Sequence, residues 1–127
     1  MRALVCGGSK YDDWAFMVNV LDRVHARQPI SLLIEGGGSG GADSFARRWA
    51  YQRGIQVATY TADIERYQHR AVAVRNAQML REGCPELVIA FRGGHGTAHM
   101  VTIARAALVP VLKTWRYKKA GASAQPA

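Results

Sequence analysis

Apolar positions along the chain switch between two spacings. Leu4-Val5-Cys6 is a short apolar run closed by Gly7-Gly8-Ser9, the pattern of a strand running into a turn. From Trp14 the apolar residues fall at Trp14, Met17, Val18, Leu21 and Val24, a helical spacing with one buried face that Pro29 ends. Ile30 to Ile34 is almost wholly apolar, as strands covered on both faces are, and Glu35 and the run Gly36-Gly37-Gly38-Ser39-Gly40-Gly41 follow it. A second helix is expected to turn Phe45, Ala46, Trp49 and Ala50 inward and to stop at Gly54, with a third strand from Ile55 to Tyr60. Thr61 to Ala71 is polar and reads as a long functional loop before a helix from about Val74 to Arg81, ended by Gly83 and Pro85. Leu87 to Phe91 reads as the fourth strand. A last helix would bury Met100, Val101, Ile103, Ala104 and Leu108 before Val109 to Leu112 closes the sheet. Strand and helix alternate without repeat or internal break. That predicts one α/β domain over residues 1–116, a three-layer α/β/α sandwich around a mostly parallel five-stranded sheet. Residues 117–127 read as a flexible tail of basic and small residues.

Composition narrows the class without choosing a function. At 127 residues, 49% hydrophobic and 20% charged, the chain can bury one core and is not a disordered segment. No apolar run approaches the ~20 residues that span a bilayer, and Met1 to Cys6 is too short for a signal peptide, so a cytoplasmic protein with no membrane partner is expected. Cys6 and Cys84 match neither a zinc nor a disulfide spacing, and read as buried or incidental thiols. His95 and His99 are four apart but lack the glutamate of the His-Glu-x-x-His pattern, so no metal is expected. The net charge of +8 attracts anions of any kind, phosphate ligands and nucleic acid alike. Four of its cations (Lys113, Arg116, Lys118 and Lys119) lie at or after the last strand.

Glycine placement says more. Ten of the 13 glycines fall in three places: Gly7 and Gly8, the run from Gly36 to Gly41, and Gly93, Gly94 and Gly96. Each place follows a predicted strand. In an open parallel sheet those turns share the carboxyl edge, where ligands bind. A missing Cβ lets backbone N–H groups approach an anion, and a helix N-terminus behind the turn adds unpaired donors and a favourable dipole. The motif matches inside the run are cheap. Gly36-x-Gly38-x-x-Gly41 follows the second strand rather than the first, and Gly37-x-Ser39-x-Gly41 mimics a nucleophile elbow because its flanks are saturated with glycine. No Gly-Lys-Ser/Thr of a P-loop is present.

Taken together, Leu4-Val5-Cys6-Gly7-Gly8, Gly36-Gly37 through Gly41-Ala42-Asp43, Arg75-Asn76-Ala77-Gln78-Met79-Leu80 and Gly93-Gly94-His95-Gly96-Thr97 resemble the YspA/cpYpsA-related branch of the SLOG superfamily. The resemblance covers nearly all of residues 1–113 with the motifs in order. It implies a Rossmann-like fold that binds nucleotides or nucleotide-derived ligands, and relatives that include the single-strand DNA-binding DprA proteins and the LOG phosphoribohydrolases. The chain departs from the family pattern at Ser9 and Lys10, in a longer second glycine loop, at Ala71-Val72-Ala73-Val74, and at Arg92 in place of a proline. LOG proteins carry a catalytic glutamate three residues after the Gly-Thr of the fourth-strand loop. Here that position is Met100, and no Asp or Glu follows Glu86, so LOG-type hydrolysis is not expected.

The expected function is binding of a nucleotide or ADP-ribose-like ligand, as a sensor more than an enzyme, with no cofactor required and a homo-oligomer anticipated. Expected ligand contacts are Gly7, Gly8, Ser9, Gly36, Gly37, Gly40, Gly41, Asp43, Arg75, Asn76, Arg92, Gly93, Gly94, His95, Gly96 and Thr97. Arg75 would take a phosphate bidentately while Asn76 reads a hydroxyl or base. Asp43 reads as the cap of the second helix and also as a residue that fixes the glycine loop or accepts a ribose hydroxyl, and Thr97 as the cap of the last helix. Tyr11 and Tyr67 are candidates to stack on a base, or to pack against helices. Single-stranded nucleic-acid binding is the second expectation. A hydrolase acting on a nucleotide or sugar phosphate through Glu35 or Asp43 is the third, although a structural hydrogen bond to the glycine loop is the preferred reading of Glu35.

Overall fold

The computed structural model describes residues 1–115, so Arg116, Lys118, Lys119 and the expected tail over residues 117–127 lie outside the described residues. Five parallel strands form one sheet in the order β3-β2-β1-β4-β5: β1 (Arg2–Cys6), β2 (Leu32–Glu35), β3 (Gln56–Thr59), β4 (Leu87–Ala90) and β5 (Val111–Lys113). Helices α1 (Trp14–Arg27) and α2 (Gly41–Gln52) carry the chain outward from the central β1 to β3. The short α3 (Ile64–Tyr67) and α4 (Ala71–Gly83) then carry it back across the sheet to β4, and α5 (His95–Ala106) leads to β5. This is the Rossmann-like α/β fold that the alternating pattern predicts.

Strand alternation sorts the core into two layers. Ala3 and Val5 of β1, Leu33 of β2 and Ile89 of β4 face α1 and α2, where Met17, Leu21, Ala46 and Trp49 cover them. Leu4, Cys6, Ile34, Val88 and Ala90 point the other way, onto Met79 of α4 and Met100 and Ala104 of α5. Full burial of side chains of this size stabilises by about 1.5–3 kcal/mol each, so these two layers, not surface ion pairs such as Arg81–Glu82, dominate stability. Polar ties then fix the helices. Asp13 caps α1 by accepting the Phe16 N–H at 3.0 Å, and His25 Nδ1 accepts the Ile30 N–H at 2.9 Å where the chain enters β2.

Three expectations change. The stretch from Thr61 to Ala71 is not an open loop: it holds α3, capped by Asp63, and a 3-10 turn over Gln68–Arg70 that runs straight into α4. Its polar faces hid the helical turns because a four-residue helix buries no stripe. Helix α4 therefore starts at Ala71 rather than near Val74. Leu108 is not a buried face of α5. That helix ends at Ala106, and Leu108 is 89% exposed with φ 62° in the turn to β5. Among the described residues no helix is long and apolar enough to cross a membrane.

Candidate functional site

The glycine turns after β1, β2 and β4 stand side by side, because those three strands are neighbours in the sheet and all point the same way. Backbone contacts lace them together. Gly8 donates its N–H to the Arg92 carbonyl at 2.8 Å and accepts from Ala42 N–H at 3.0 Å and Tyr11 N–H at 3.2 Å. The approach is close enough that side chains are excluded. A Cβ on Gly8 would lie 3.1 Å from the Arg92 carbonyl oxygen, and one on Gly7 would lie 2.6 Å from the Ala42 Cβ.

Some of the expected anion donors are spent inside the protein. The Gly37 N–H goes to Glu35 Oε1 at 2.6 Å and the Gly38 N–H to Asp43 Oδ2 at 3.0 Å, as the Gly8 N–H goes to Arg92. The Ala42 N–H in the first turn of α2 is likewise spent, on the Gly8 carbonyl, while the N-cap residues Gly40 and Gly94 of α2 and α5 supply no side-chain cap. Both helices start earlier than expected, and this corrects two cap assignments. Asp43 is the third residue of α2, not its N-cap, and its carboxylate reaches back over the glycine loop to Gly38. Thr97 is the third residue of α5, 6% exposed, with its hydroxyl filling the place a Cβ on Gly93 would take.

Glu35 holds the second loop from beneath. It is fully buried and accepts from Gly37, from Arg47 Nη1 at 2.8 Å and from the Thr59 hydroxyl. Arg47 also donates Nη2 to the Gly38 carbonyl at 2.7 Å, so one guanidinium neutralises the carboxylate and ties down the loop. A buried carboxylate needs such a partner, since an unpaired one costs several kcal/mol. With its oxygens occupied and no face on the rim, Glu35 is an anchor rather than a reacting group. Ser39 is exposed at the loop tip, and among the described residues no hydrogen bond joins it to a histidine or carboxylate.

Arg75 and Asn76 part company. Arg75 Nη1 donates to the Gly36 carbonyl at 2.5 Å and Nε to Asn76 Oδ1 at 3.1 Å. Two of its five N–H donors are used, and the side chain still lines the rim. Asn76 turns inward. At 3% exposure it donates to the Gly96 carbonyl at 3.0 Å and pairs with His99 Nδ1 at 3.1 Å, so its amide links α4 to α5 and orients Arg75. It faces away from the space where a hydroxyl or base would sit, because a helix places adjacent residues 100° apart.

Two cavities open on this edge, one on each side of the Gly8–Ser9 turn. The smaller, about 270 Å³, lies between the β1 and β2 turns and brings together Gly7, Gly36, Gly37, Gly38, Gly40, Asp43 and Arg75, walled by Thr61, Ala62 and Val72. The larger, about 670 Å³, lies between the β1 and β4 turns and is lined by Lys10 to Asp13, Phe16, Arg92 to Gly94, Thr114 and Trp115. Gly8 and Ser9 border both. Gly41, His95, Gly96 and Thr97 line neither. Tyr11 packs on Phe45 and Phe91 at centroid distances of 6.3 and 5.4 Å, and Tyr67 carries the Arg66 guanidinium 5.1 Å from its ring. The motif reading missed Arg47, Thr59, Thr61 and Val72. Their roles come from elements distant in sequence, and only the basic face of α2 beside a buried glutamate hinted at the first of them.

A model of the YspA, cpYpsA-related SLOG family matches residues 1–67. The Gene 61 protein of Mycobacterium phage D29 is 34% identical over 119 residues, covering 87% of this chain and 94% of that protein. Among solved structures, the Moco Carrier Protein from Chlamydomonas reinhardtii superposes with a TM-score of 0.56 at 20% identity, over 86% of this chain and 72% of that one. At that identity the likeness concerns the fold alone.

Proposed function

Because the chain belongs to the YspA, cpYpsA-related SLOG family, we propose that it binds a nucleotide or nucleotide-derived ligand, phosphate-bearing and ADP-ribose-like, at the carboxyl edge of its sheet. The observation that carries this reading is the smaller cavity, where Arg75 and Asp43 meet around glycine backbone at the N-terminal end of α2. Three N–H donors of Arg75 remain for a phosphate, and the α2 dipole favours negative charge in the same space. Asp43 offsets part of that positive field. Its Oδ1, unlike the Oδ2 held by Gly38, is left to accept a ribose hydroxyl, so the cavity suits a sugar phosphate better than a bare polyanion.

The reading is of binding rather than turnover. Glu35 is consumed as the anchor of the loop, α5 carries Met100 and no carboxylate, and Asp43 alone makes no acid–base pair. The partner in this reading is a small molecule, and the protein is read as cytoplasmic. A thermal-shift panel of nucleotides, ADP-ribose and cyclic dinucleotides checks it. A ligand at a hundredfold excess over Kd should stabilise by ~2.7 kcal/mol, and Arg75→Met should abolish the shift without lowering the unliganded midpoint by more than a few degrees. No shift with any member overturns it.

A further inference from the structure

The smaller cavity, at about 270 Å³, falls below the roughly 300–1,000 Å³ of pockets that bury a whole small molecule, whereas the cavity across the Gly8–Ser9 turn, at about 670 Å³, lies well inside that range. A sugar phosphate held by Arg75 and Asp43 would thus fill its own space and leave the rest of the ligand to cross the ridge. We propose that the larger cleft is a second subsite of the same ligand. It takes a flat heteroaromatic base between Phe16 and Trp115, so that the ligand is a nucleoside phosphate laid across Gly8 and Ser9.

The chemistry of the cleft separates it from the cradle. Phe16 sits in the first turn of α1, 41% exposed, although its ring also meets Phe91 edge-on at 6.2 Å. An aromatic left in water at the mouth of a cleft provides stacking area that costs little to desolvate. Trp115, half-buried and steadied by Lys113 Nζ 5.0 Å from its ring, offers a second aromatic surface on the side of β5. The charged lining is balanced, Lys10 and Arg92 against Asp12 and Asp13. A second phosphate would meet both carboxylates, whereas exocyclic amines and sugar hydroxyls are donors that Asp12 can accept. Gly8 packs directly on the β4 turn, where a Cβ would lie 3.1 Å from the Arg92 carbonyl oxygen and from Gly93 Cα, and with Ser9 it borders both cavities.

This inference rests on the nucleotide reading above, and calorimetric titration of the full chain separates the two. The probes are pyrophosphate, ribose 5-phosphate and the nucleoside diphosphates ADP, GDP, CDP and UDP. At least one diphosphate should bind ten times more tightly than either base-free probe. Phe16→Ser, and independently Trp115→Ala, should remove most of that gain while leaving affinity for ribose 5-phosphate within twofold, which also reports that the variant is folded. Diphosphates no tighter than ribose 5-phosphate, or a gain that survives both substitutions, overturn the base subsite and leave the cradle standing. No binding by any probe overturns the cradle and the subsite together.

Discussion

Two glycines with the same backbone angle separate conformational strain from crowding. Gly41 and Gly54 both have φ +68°, a region costing roughly 1–2 kcal/mol for most side chains. Around Gly54 a Cβ would meet nothing within 4 Å, whereas at Gly41 it would run into the Gly8 carbonyl and the Ser9 backbone. Gly54→Asn should be nearly neutral, because asparagine tolerates this conformation, and Gly54→Ala should cost about 1 kcal/mol. Gly41→Asn should cost about 3 kcal/mol or more, since backbone rather than a flexible side chain is in the way. Denaturant unfolding of the variants tests the contrast; equal costs at the two sites would mean that the turns are not packed as described. Only one of these differences could be read from sequence. Gly54 after a helix is a recognisable stop signal, but the need for glycine at 41 comes from the β1 turn, more than thirty residues away.

At the scale of elements, one carboxylate joins the two helices of the first layer. Asp22 of α1 receives the Trp49 Nε1–H of α2 at 2.9 Å and both Nε and Nη2 of Arg53, at 2.7 and 2.9 Å. The Arg53 hydrogen bonds outweigh the opposing cost of burial and, with lesser help from Trp49 and the charges of Arg53 and His25, hold its carboxyl below the usual range. A depressed folded-state pKa contributes stability above the unfolded-state value, and that contribution is lost as pH falls through the folded-state value. Asp22→Asn should therefore lower the thermal midpoint near neutral pH, and the gap from the parent should close as pH falls through the lowered folded-state value. Because the pair is largely solvent-exposed the gap should be small, and smaller in high salt. A gap independent of pH would assign the role to shape rather than charge. Periodicity marked α1, α2, α4 and α5, since each keeps one apolar face on the sheet. It missed α3 and the 3-10 turn, whose few residues bury no face, and it misplaced the first turns of α2 and α5, where glycine caps gave no polar signal.

For the molecule as a whole, β1 lies at the centre of the sheet and ends beneath the site. Cys6 there is buried, its thiol pushed up to about 12 by burial and by Asp43, with Arg75 pulling the other way, whereas Cys84 is exposed at the end of α4. A thiol reagent should label one cysteine quickly in the native protein, and the second about a thousandfold more slowly or beyond, because reaching β1 requires opening the fold. Mass spectrometry of the labelled peptides tests it. Two fast sites would mean that the carboxyl edge opens locally. The same central position brings Arg75 from the returning helix α4 to the Gly36 carbonyl, a contact between residues 39 apart in sequence.

Patterning and composition alone fixed the layers of this protein, its parallel sheet and the shared edge of its glycine turns, because strand and helix periods report burial residue by residue. Which amides at that edge are spent and which stay open, that Arg47 and Thr59 are the partners of Glu35, that Asn76 looks inward, and that a ridge divides two unlike cavities were decided only by the folded chain. Those outcomes depend on which distant partner reaches each polar atom first, and nothing local in the sequence encodes that competition.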